Sequence, residues 1–156
     1  MRSSKNEERL LRVLSMLKVM FLCTGNSCRS QMAEGFGRAF GNGLLEVHSA
    51  GLMAAGVSSR AKAVMNEINI DISGQHSKEI DEELLRTMDL VITLCDNAEE
   101  ACPWTPPEVQ HLHWPILDPV GTTGTEEVIM QDFRRARDEI GSKIQDFVAA
   151  LKEKRG

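Results

Sequence analysis

The sequence predicts a single-domain α/β protein in which helices cover both faces of a four-stranded parallel sheet. Two observations carry this prediction. Short apolar runs, typical of strands buried on both faces, alternate along the chain with segments of helical periodicity. The chain has 156 residues, 42% of them hydrophobic, which is enough for one substantial core. Strands that alternate with helices form parallel sheets, because each helix returns the chain to the start of the next strand.

In the first half of the chain, the continuous apolar run 19–23 is typical of a central strand. A helix at 31–40 follows, and Gly41 closes it because glycine tolerates the backbone conformation that ends a helix. Residues 44–49 form the second predicted strand. Residues 60–68 are predicted to be helical because their apolar side chains recur at the spacing of one helix face.

In the second half, residues 81–88 make a short helix, and the apolar run 90–94 is a third strand buried on both faces. The more alternating segment 109–114 is the fourth strand. A long helix at 125–152 keeps its apolar side chains broadly on one side.

Composition and charge limit the location and the partners of the protein. A net charge of −5 and a pI near 5.4 argue against binding to nucleic acid or to an anionic membrane. No apolar stretch approaches the ~18 residues of a membrane span, and no secretory signal is recognisable. Four cysteines in such a chain favour reduced thiols over a disulfide framework. We expect a cytoplasmic monomer, with a domain at 18–156 and a helical or disordered N-terminal extension at 1–17.

The loop after the first strand carries the most informative motif, Cys-x5-Arg. Cys23 ends the strand, and Arg29 and Ser30 lead into the next helix. The intervening residues are Thr24, Gly25, Asn26, Ser27 and Cys28. Such a loop turns its backbone N–H groups inward to bind an oxyanion, and the arginine fork holds two of the anion's oxygens. The same groups favour the thiolate of Cys23. The motif therefore predicts nucleophilic attack by Cys23 on a bound oxyanion. A buried structural cysteine near a surface arginine is the alternative.

A second pair of cysteines, Cys95 and Cys102, encloses a short helical segment. Seven residues of helix rise ~10 Å, whereas a disulfide needs Cα atoms within about 7 Å. These cysteines can therefore bridge only if the segment unwinds. Two unrelated thiols are one alternative. A zinc site with His111 and His113 is another, although the spacings match structural zinc sites poorly. An activated Cys23 favours a redox pair.

Asp118 follows an apolar run and precedes a proline. An aspartate in this position most often forms a turn. Because ligands of parallel sheets bind beyond the carboxyl ends of the strands, the alternative is a general acid that protonates a leaving oxygen.

These motifs resemble those of the thioredoxin-coupled arsenate reductases, which share the fold of the low-molecular-weight protein tyrosine phosphatases. The resemblance covers nearly everything from Lys18 onward. The segments that carry it are 21–35, 49–51, 70–73, 91–95, 113–114, 118–119 and 133–140.

The resemblance implies a first step on arsenate. Cys23 attacks arsenate held by the loop and Arg29, while Asp118 protonates the departing hydroxyl. Ser30 helps to hold the Cys23 thiolate. Phosphate and sulfate are expected to compete for the loop, and Cys28 is expected to be dispensable.

The resemblance also implies a relay of disulfides. Cys95 attacks Cys23, expelling arsenite and leaving a Cys23–Cys95 disulfide. Cys102 then attacks Cys95, and the final Cys95–Cys102 disulfide is displayed for thioredoxin. No cofactor or metal is expected to be bound, because thioredoxin supplies the reducing equivalents. The sequence leaves glutaredoxin or a small thiol open as the physiological reductant.

The chain departs from the family pattern at a potassium site. Some members bind potassium through an Asn, a Glu, a Ser and an Asp. Asn26, Glu34 and Ser49 match the first three, but Lys78 stands in the last position. A lysine ammonium supplies a positive charge of its own, so we predict no potassium requirement.

Two other functions compete with arsenate reduction. One is a phosphatase acting on phosphotyrosine or small phosphate esters. Phosphatase relatives generally place aromatic residues beside the substrate, whereas this chain contains no tyrosine and has Val120 and Gly121 after Asp118-Pro119. A phosphatase also needs neither Cys95 nor Cys102. The other competing function is a redox-responsive oxyanion sensor, which would bind the anion without thioredoxin-dependent turnover.

Overall fold

A computed structural model describes residues 4–7 and 16–155. Within those ranges the chain forms one four-stranded sheet in the order β2-β1-β3-β4, with every neighbouring pair parallel. The strands are β1 (Leu17–Cys23), β2 (Leu45–Gly51), β3 (Leu90–Thr93) and β4 (Gln110–His113). The helices are α1 (Arg29–Phe40), α2 (Ser59–Asn66), α3 (Glu82–Arg86), α4 (Asp96–Ala101) and α5 (Glu126–Arg155), with a 3-10 turn at Pro119–Gly121. The predicted fold class is confirmed.

Both faces of the sheet are covered at its centre. Met20, Phe21 and Leu22 are consecutive in β1, so they point alternately to opposite faces, and each is at most 1% exposed. A strand buried on both faces requires a layer of helices on each side, as the apolar run predicted. The strand β4 lies at the sheet edge, and most of its side chains are exposed.

The long helix α5 packs against α1 and against the end of β4. A Cβ at Gly141 would lie 2.8 Å from the ring of Phe36, so only glycine lets α5 approach α1 this closely. The ring of Phe147 meets the Trp114 ring edge-on, with centroids 6.1 Å apart. The Trp114–Phe147 contact anchors the chain directly after β4, and that chain continues toward the candidate site.

Two predicted helices end two residues early, and the helix predicted at 81–88 ends at Arg86. The helix predicted at 60–68 ends at Asn66, because Asn69 has a left-handed φ of 63° and Ile70 N–H donates back to Met65 O at 3.0 Å. Ile68 is consequently 38% exposed instead of buried in the core.

Much of the predicted N-terminal extension at 1–17 lies outside the described residues, so its conformation stays a prediction. Residues 1–3 and 8–15 belong to that part. Leu17 is already the first residue of β1, opposite Leu45 of β2. No helix in the described ranges is long and apolar enough to cross a membrane.

The carboxyl ends of the strands meet at one edge, where the sheet's hydrogen bonds continue beyond the strands. Leu94 N–H donates to Leu22 O at 2.8 Å, and Ile116 N–H donates to Leu94 O at 3.0 Å. Cys23, Cys95 and the chain before Asp118 are thereby brought to the same edge, as the parallel sheet predicted.

Candidate active site

The loop between β1 and α1 turns its carbonyl groups outward. The carbonyl oxygens of residues 24–28 each accept a hydrogen bond from the surrounding chain. In the part of the chain that the structure describes, nothing accepts a hydrogen bond from the N–H groups of these five residues. Asn26 has a φ of 46°, in the left-handed region, which helps the loop to curl. This arrangement is compatible with the nest for a tetrahedral oxyanion that the Cys-x5-Arg motif predicts.

A glycine of β2 lets this loop pack closely on the sheet. A Cβ at Gly51 would lie 2.6 Å from Asn26 N, far inside contact distance. Any other residue at position 51 would push the loop away from the end of β1.

The sulfur of Cys23 lies within hydrogen-bond distance of the Ser30 hydroxyl. The two atoms, Cys23 Sγ and Ser30 Oγ, are 2.8 Å apart, and Cys23 is only 2% exposed. Ser30 Oγ accepts a hydrogen bond from Asn26 Nδ2 at 2.8 Å, so its own hydrogen is free to point at the sulfur. A donor aimed at sulfur stabilises the thiolate, which is the role that the resemblance implies for Ser30.

The amide of Asn26 uses all four of its hydrogen-bonding positions although it is fully buried. Its Nδ2 donates to Ser30 Oγ at 2.8 Å and to Ser49 Oγ at 3.0 Å. Its Oδ1 accepts from Gln31 Nε2 at 3.0 Å and from the Lys78 N–H at 2.9 Å. A satisfied buried amide of this kind fixes the loop and, through Ser30, the nucleophile.

Behind this network lies a buried carboxylate, Glu34, with 2% of its side chain exposed. It accepts a hydrogen bond from Ser49 Oγ at 2.6 Å and pairs with Arg38 at 2.9 Å. The Lys78 ammonium lies 3.6 Å from Glu34 Oε1 and 3.4 Å from Ser49 Oγ. A positive charge of the protein therefore stands beside two of the residues that the resemblance associates with potassium.

Arg29 and Asp118 form an ion pair beside the loop, with Arg29 Nη2 and Asp118 Oδ2 3.4 Å apart. The other arm of the guanidinium is held by Ile116 O, to which Nη1 donates at 2.9 Å. Asp118 also accepts a hydrogen bond from Val120 N–H at 3.0 Å, so it forms the turn that its sequence context predicts. Because 48% of its side chain is exposed, the carboxyl group is also accessible from the cavity side.

The side of the site opposite the loop is open. A cavity of about 640 Å³ has Thr24, Arg29, Cys95 and Asp118 among its walls. The loop motif, the second cysteine and the candidate acid, which lie far apart in sequence, therefore face one space.

Cys95 lies at the start of α4 and is 8% exposed. Its sulfur accepts a hydrogen bond from Ala98 N–H at 3.4 Å, so it acts as the N-cap of the helix. The same sulfur lies 3.3 Å from the hydroxyl oxygen of Thr24, the first residue of the anion loop. Cys95 is thus held against the loop that carries Cys23.

Cys102 lies just beyond the other end of α4 and is half-buried. Burial, and then the negative charge of Glu99, raise the pKa of the Cys102 thiol. Cys95 and Cys102 are both free thiols here, as the length of the intervening helix requires.

The remaining loop cysteine, Cys28, is 4% exposed. Burial, and then the negative charges of Asp118 and Cys23, raise the pKa of the Cys28 thiol far above its usual range. A thiol that stays protonated is a poor nucleophile, which agrees with its expected dispensability.

The zinc alternative receives no support. The described residues contain no group of three or more His, Cys, Asp or Glu that could hold a metal ion. His111 contacts Thr105 at 2.7 Å, whereas His113 contacts Thr93 at 2.8 Å and Asp96 at 3.1 Å.

Sequence reasoning missed the side-chain roles of three residues. It assigned Thr24 only to oxyanion binding, whereas its hydroxyl also contacts Cys95. It gave no role to Gln31, which donates to Asn26, or to the contacts of His113 with α4. The only sequence signal was the position of each residue beside a motif.

Comparison with known proteins agrees with this geometry. The family model for low-molecular-weight phosphotyrosine protein phosphatase matches residues 18–156. A protein of Halalkalibacterium halodurans named arsenate reductase is 51% identical over 129 residues, which cover 83% of this chain and 93% of that protein. A solved arsenate reductase in the phosphate-binding state is 38% identical, with a TM-score of 0.72, covering 87% of this chain and 99% of that one. A low-molecular-weight protein tyrosine phosphatase from T. tengcongensis is 26% identical, with a TM-score of 0.74, covering 86% and 99%.

Proposed function

The chain belongs to the low-molecular-weight phosphotyrosine protein phosphatase family, and we propose that it reduces arsenate to arsenite by a three-cysteine relay coupled to thioredoxin. Two relatives that are 51% and 48% identical to this chain are named arsenate reductase, which supports the reaction. The observation that carries the relay is the position of Cys95, whose sulfur lies 3.3 Å from Thr24 Oγ1 in the anion loop. A phosphatase has no use for a second thiol at this point.

The first step forms a bond between sulfur and arsenic. Arsenate is held by the N–H groups of residues 24–28 and by the guanidinium of Arg29. The Cys23 thiolate, stabilised by Ser30, attacks arsenic and displaces one oxygen. Asp118 gives that oxygen a proton, so it leaves as water, and arsenic stays in the +5 state at this stage.

The second step is the reduction. The Cys95 thiolate attacks Cys23 Sγ, a sulfur–sulfur bond forms, and the sulfur–arsenic bond breaks. The electron pair of the broken bond stays on arsenic, which becomes arsenic(III) and leaves as arsenite. Two sulfurs have then lost the two electrons that arsenic has gained.

The third step moves the disulfide outward. Cys102 attacks Cys95, the Cys95–Cys102 bond forms, and Cys23 leaves as a thiolate ready for the next arsenate. The half-buried Cys102 is the most accessible of the relay thiols, which supports its role as the end presented to a protein reductant. The dithiol of thioredoxin then reduces this disulfide, so the enzyme needs no bound cofactor.

The direct test is arsenate-dependent oxidation of NADPH by the full chain with thioredoxin and thioredoxin reductase. We expect sustained consumption that stops when arsenate or thioredoxin is omitted, and none with Cys23→Ser. Turnover with glutathione and glutaredoxin but not with thioredoxin would support the proposed arsenate reduction and would show that thioredoxin is not the electron donor. No turnover with any of these donors would refute the proposal.

Phosphate-ester hydrolysis is the second candidate function, because the matching family model is that of a phosphatase. Cys23, Arg29 and Asp118 also supply the nucleophile, the anion-binding group and the acid that phosphate transfer through sulfur needs. Hydrolysis of p-nitrophenyl phosphate measures it. Removal of Cys95 is expected to abolish arsenate turnover and leave this hydrolysis unchanged, since hydrolysis needs no second thiol.

A further inference from the structure

We propose that a latch of four side chains keeps α4 wound while the thiols at its two ends are reduced, and so sets how readily they form a disulfide. The latch consists of Thr93, Asp96, Glu99 and His113. Two of these residues lie on α4, and the other two end β3 and β4, so the latch ties the helix to the sheet. The proposal rests on the relay proposed above, in which the Cys95–Cys102 disulfide is the final oxidised form.

The imidazole of His113 is the centre of the latch. Its Nε2 lies 3.1 Å from Asp96 Oδ1, at the first residue of α4. Its Nδ1 lies 2.8 Å from Thr93 Oγ1 and 3.7 Å from Glu99 Oε2. Thr93 is fully buried, and its hydroxyl donates to Glu99 Oε2 at 2.5 Å. One histidine and one threonine of the sheet thus hold two of the three carboxylates of the helix, Asp96 and Glu99.

The two carboxylates of the latch are its hydrogen-bond acceptors. Ionised carboxylates only accept hydrogen bonds, so the single hydroxyl hydrogen of Thr93 points to Glu99. The His113 ring faces Asp96 with Nε2 and the Thr93 oxygen with Nδ1. Hydrogen bonds to an ionised carboxylate are stronger than bonds between neutral groups.

Apart from the latch, the helix is held by its N-cap and by Ala98, which is fully buried in the core. It has six residues, and helices this short are marginal without outside contacts. Its N-cap is the sulfur of Cys95, which accepts from Ala98 N–H at 3.4 Å. Once that sulfur is drawn into a disulfide the cap is lost, and the latch and the buried Ala98 are the restraints left on the first turn.

The latch therefore opposes the last disulfide of the relay. In that step Cys102 attacks Cys95, their sulfurs bond, and Cys23 leaves as a thiolate, so no net electrons are gained or lost. The two sulfurs meet only if α4 unwinds, since a helix of this span rises ~10 Å. Because the latch contacts require a wound helix, they favour the dithiol over the disulfide.

Amide hydrogen exchange of the reduced full chain tests the latch without arsenate. His113→Ala is expected to speed exchange of the α4 amides about tenfold, because the open state becomes more populated. His111→Ala is the matched control, since His111 lies on the same strand and contacts Thr105 instead. Thr93→Val is a second variant of nearly unchanged shape, which keeps the test valid if His113→Ala disturbs β4.

The thiol–disulfide equilibrium gives the second readout. Oxidised glutathione takes two electrons from Cys95 and Cys102 and becomes two molecules of glutathione, and the Cys23→Ser background removes the competing thiol. His113→Ala is expected to favour the disulfide about tenfold, which corresponds to a reduction potential about 30 mV more negative. His111→Ala is expected to leave it unchanged.

Equal α4 exchange and equal redox equilibria in His113→Ala, Thr93→Val and His111→Ala would overturn the latch. Failure of the relay gives a different result. In that case no Cys95–Cys102 disulfide forms in any variant, while the exchange of α4 amides still decides whether the latch exists.

Discussion

The hydroxyl oxygen of Thr24 lies 3.3 Å from the sulfur of Cys95, although 71 positions separate the two residues in the sequence. Thr24 directly follows Cys23, and Cys95 caps α4. The contact therefore joins the loop of the nucleophile to the thiol that is proposed to resolve it. A Cys23–Cys95 disulfide needs the second sulfur at this place.

Replacing Thr24 by valine removes the hydroxyl and keeps the branched shape. We expect Thr24→Val to slow formation of the Cys23–Cys95 disulfide about tenfold, because one hydrogen bond to the attacking sulfur is worth about 1.5 kcal/mol or slightly less. Rapid quenching with mass analysis of the disulfides measures this step. Thr24→Ser, which retains the hydroxyl, is the control and should react at nearly the original rate. A normal rate in Thr24→Val would show that the contact does not position Cys95.

Lys78 is expected to make the enzyme independent of potassium. Its ammonium lies 3.6 Å from the buried Glu34 carboxylate, so exchanging potassium for sodium should leave the melting temperature of the native chain unchanged. In Lys78→Asp, a second carboxylate replaces the ammonium and creates the acidic set of potassium-binding relatives. We expect potassium to raise the melting temperature of that variant by about 3 °C relative to sodium, or about 1 kcal/mol. A potassium effect on the native chain would contradict this account.

We expect the buried thiol of Cys28 to lower the free energy of unfolding as the pH becomes alkaline. Burial raises the pKa of its thiol in the folded chain, so the folded state keeps a proton that the unfolded state loses above about pH 8.5. The stabilisation is therefore complete below that pH and is lost as the pH rises, by up to about 1.4 kcal/mol per pH unit. Denaturant unfolding between about pH 8 and pH 10 should show a shallower decline in Cys28→Ala. Parallel profiles for the two proteins would show that Cys28 ionises normally.

The reactivity of Cys102 should also depend on pH. Burial and the charge of Glu99 raise the pKa of this thiol, so its thiolate is scarce near neutral pH. We expect its alkylation by iodoacetamide to keep rising above about pH 10, where an ordinary thiol with a pKa of about 8.5 is almost fully ionised and has reached its plateau. Glutathione supplies the reference profile. A plateau at the same pH as glutathione would contradict the raised pKa.

The sequence was most informative where the chemistry is local. The spacing from Cys23 to Arg29 defines a loop of five residues, and among the described residues its carbonyl groups accept hydrogen bonds whereas its N–H groups donate none. The common edge for Cys95 and Asp118 was also predictable, since the carboxyl ends of parallel strands always meet on one side.

Contacts between side chains of distant loops were not predictable. Lys78 reaches Asn26 and Glu34 from an irregular segment, where no periodicity indicates direction. The His113 contacts depend on the register of β3 and β4 and on where α4 begins, and neither is encoded by a motif. The end of α2 differed because one residue, Asn69, adopts a left-handed conformation.

The most direct test of the relay is the number of arsenite molecules that Cys102→Ser releases in the presence of arsenate, thioredoxin and thioredoxin reductase. The account predicts at most one arsenite per protein molecule, with the Cys23–Cys95 disulfide accumulating, while Cys28→Ala continues to turn over. Repeated turnover by Cys102→Ser with thioredoxin as the only reductant would contradict it.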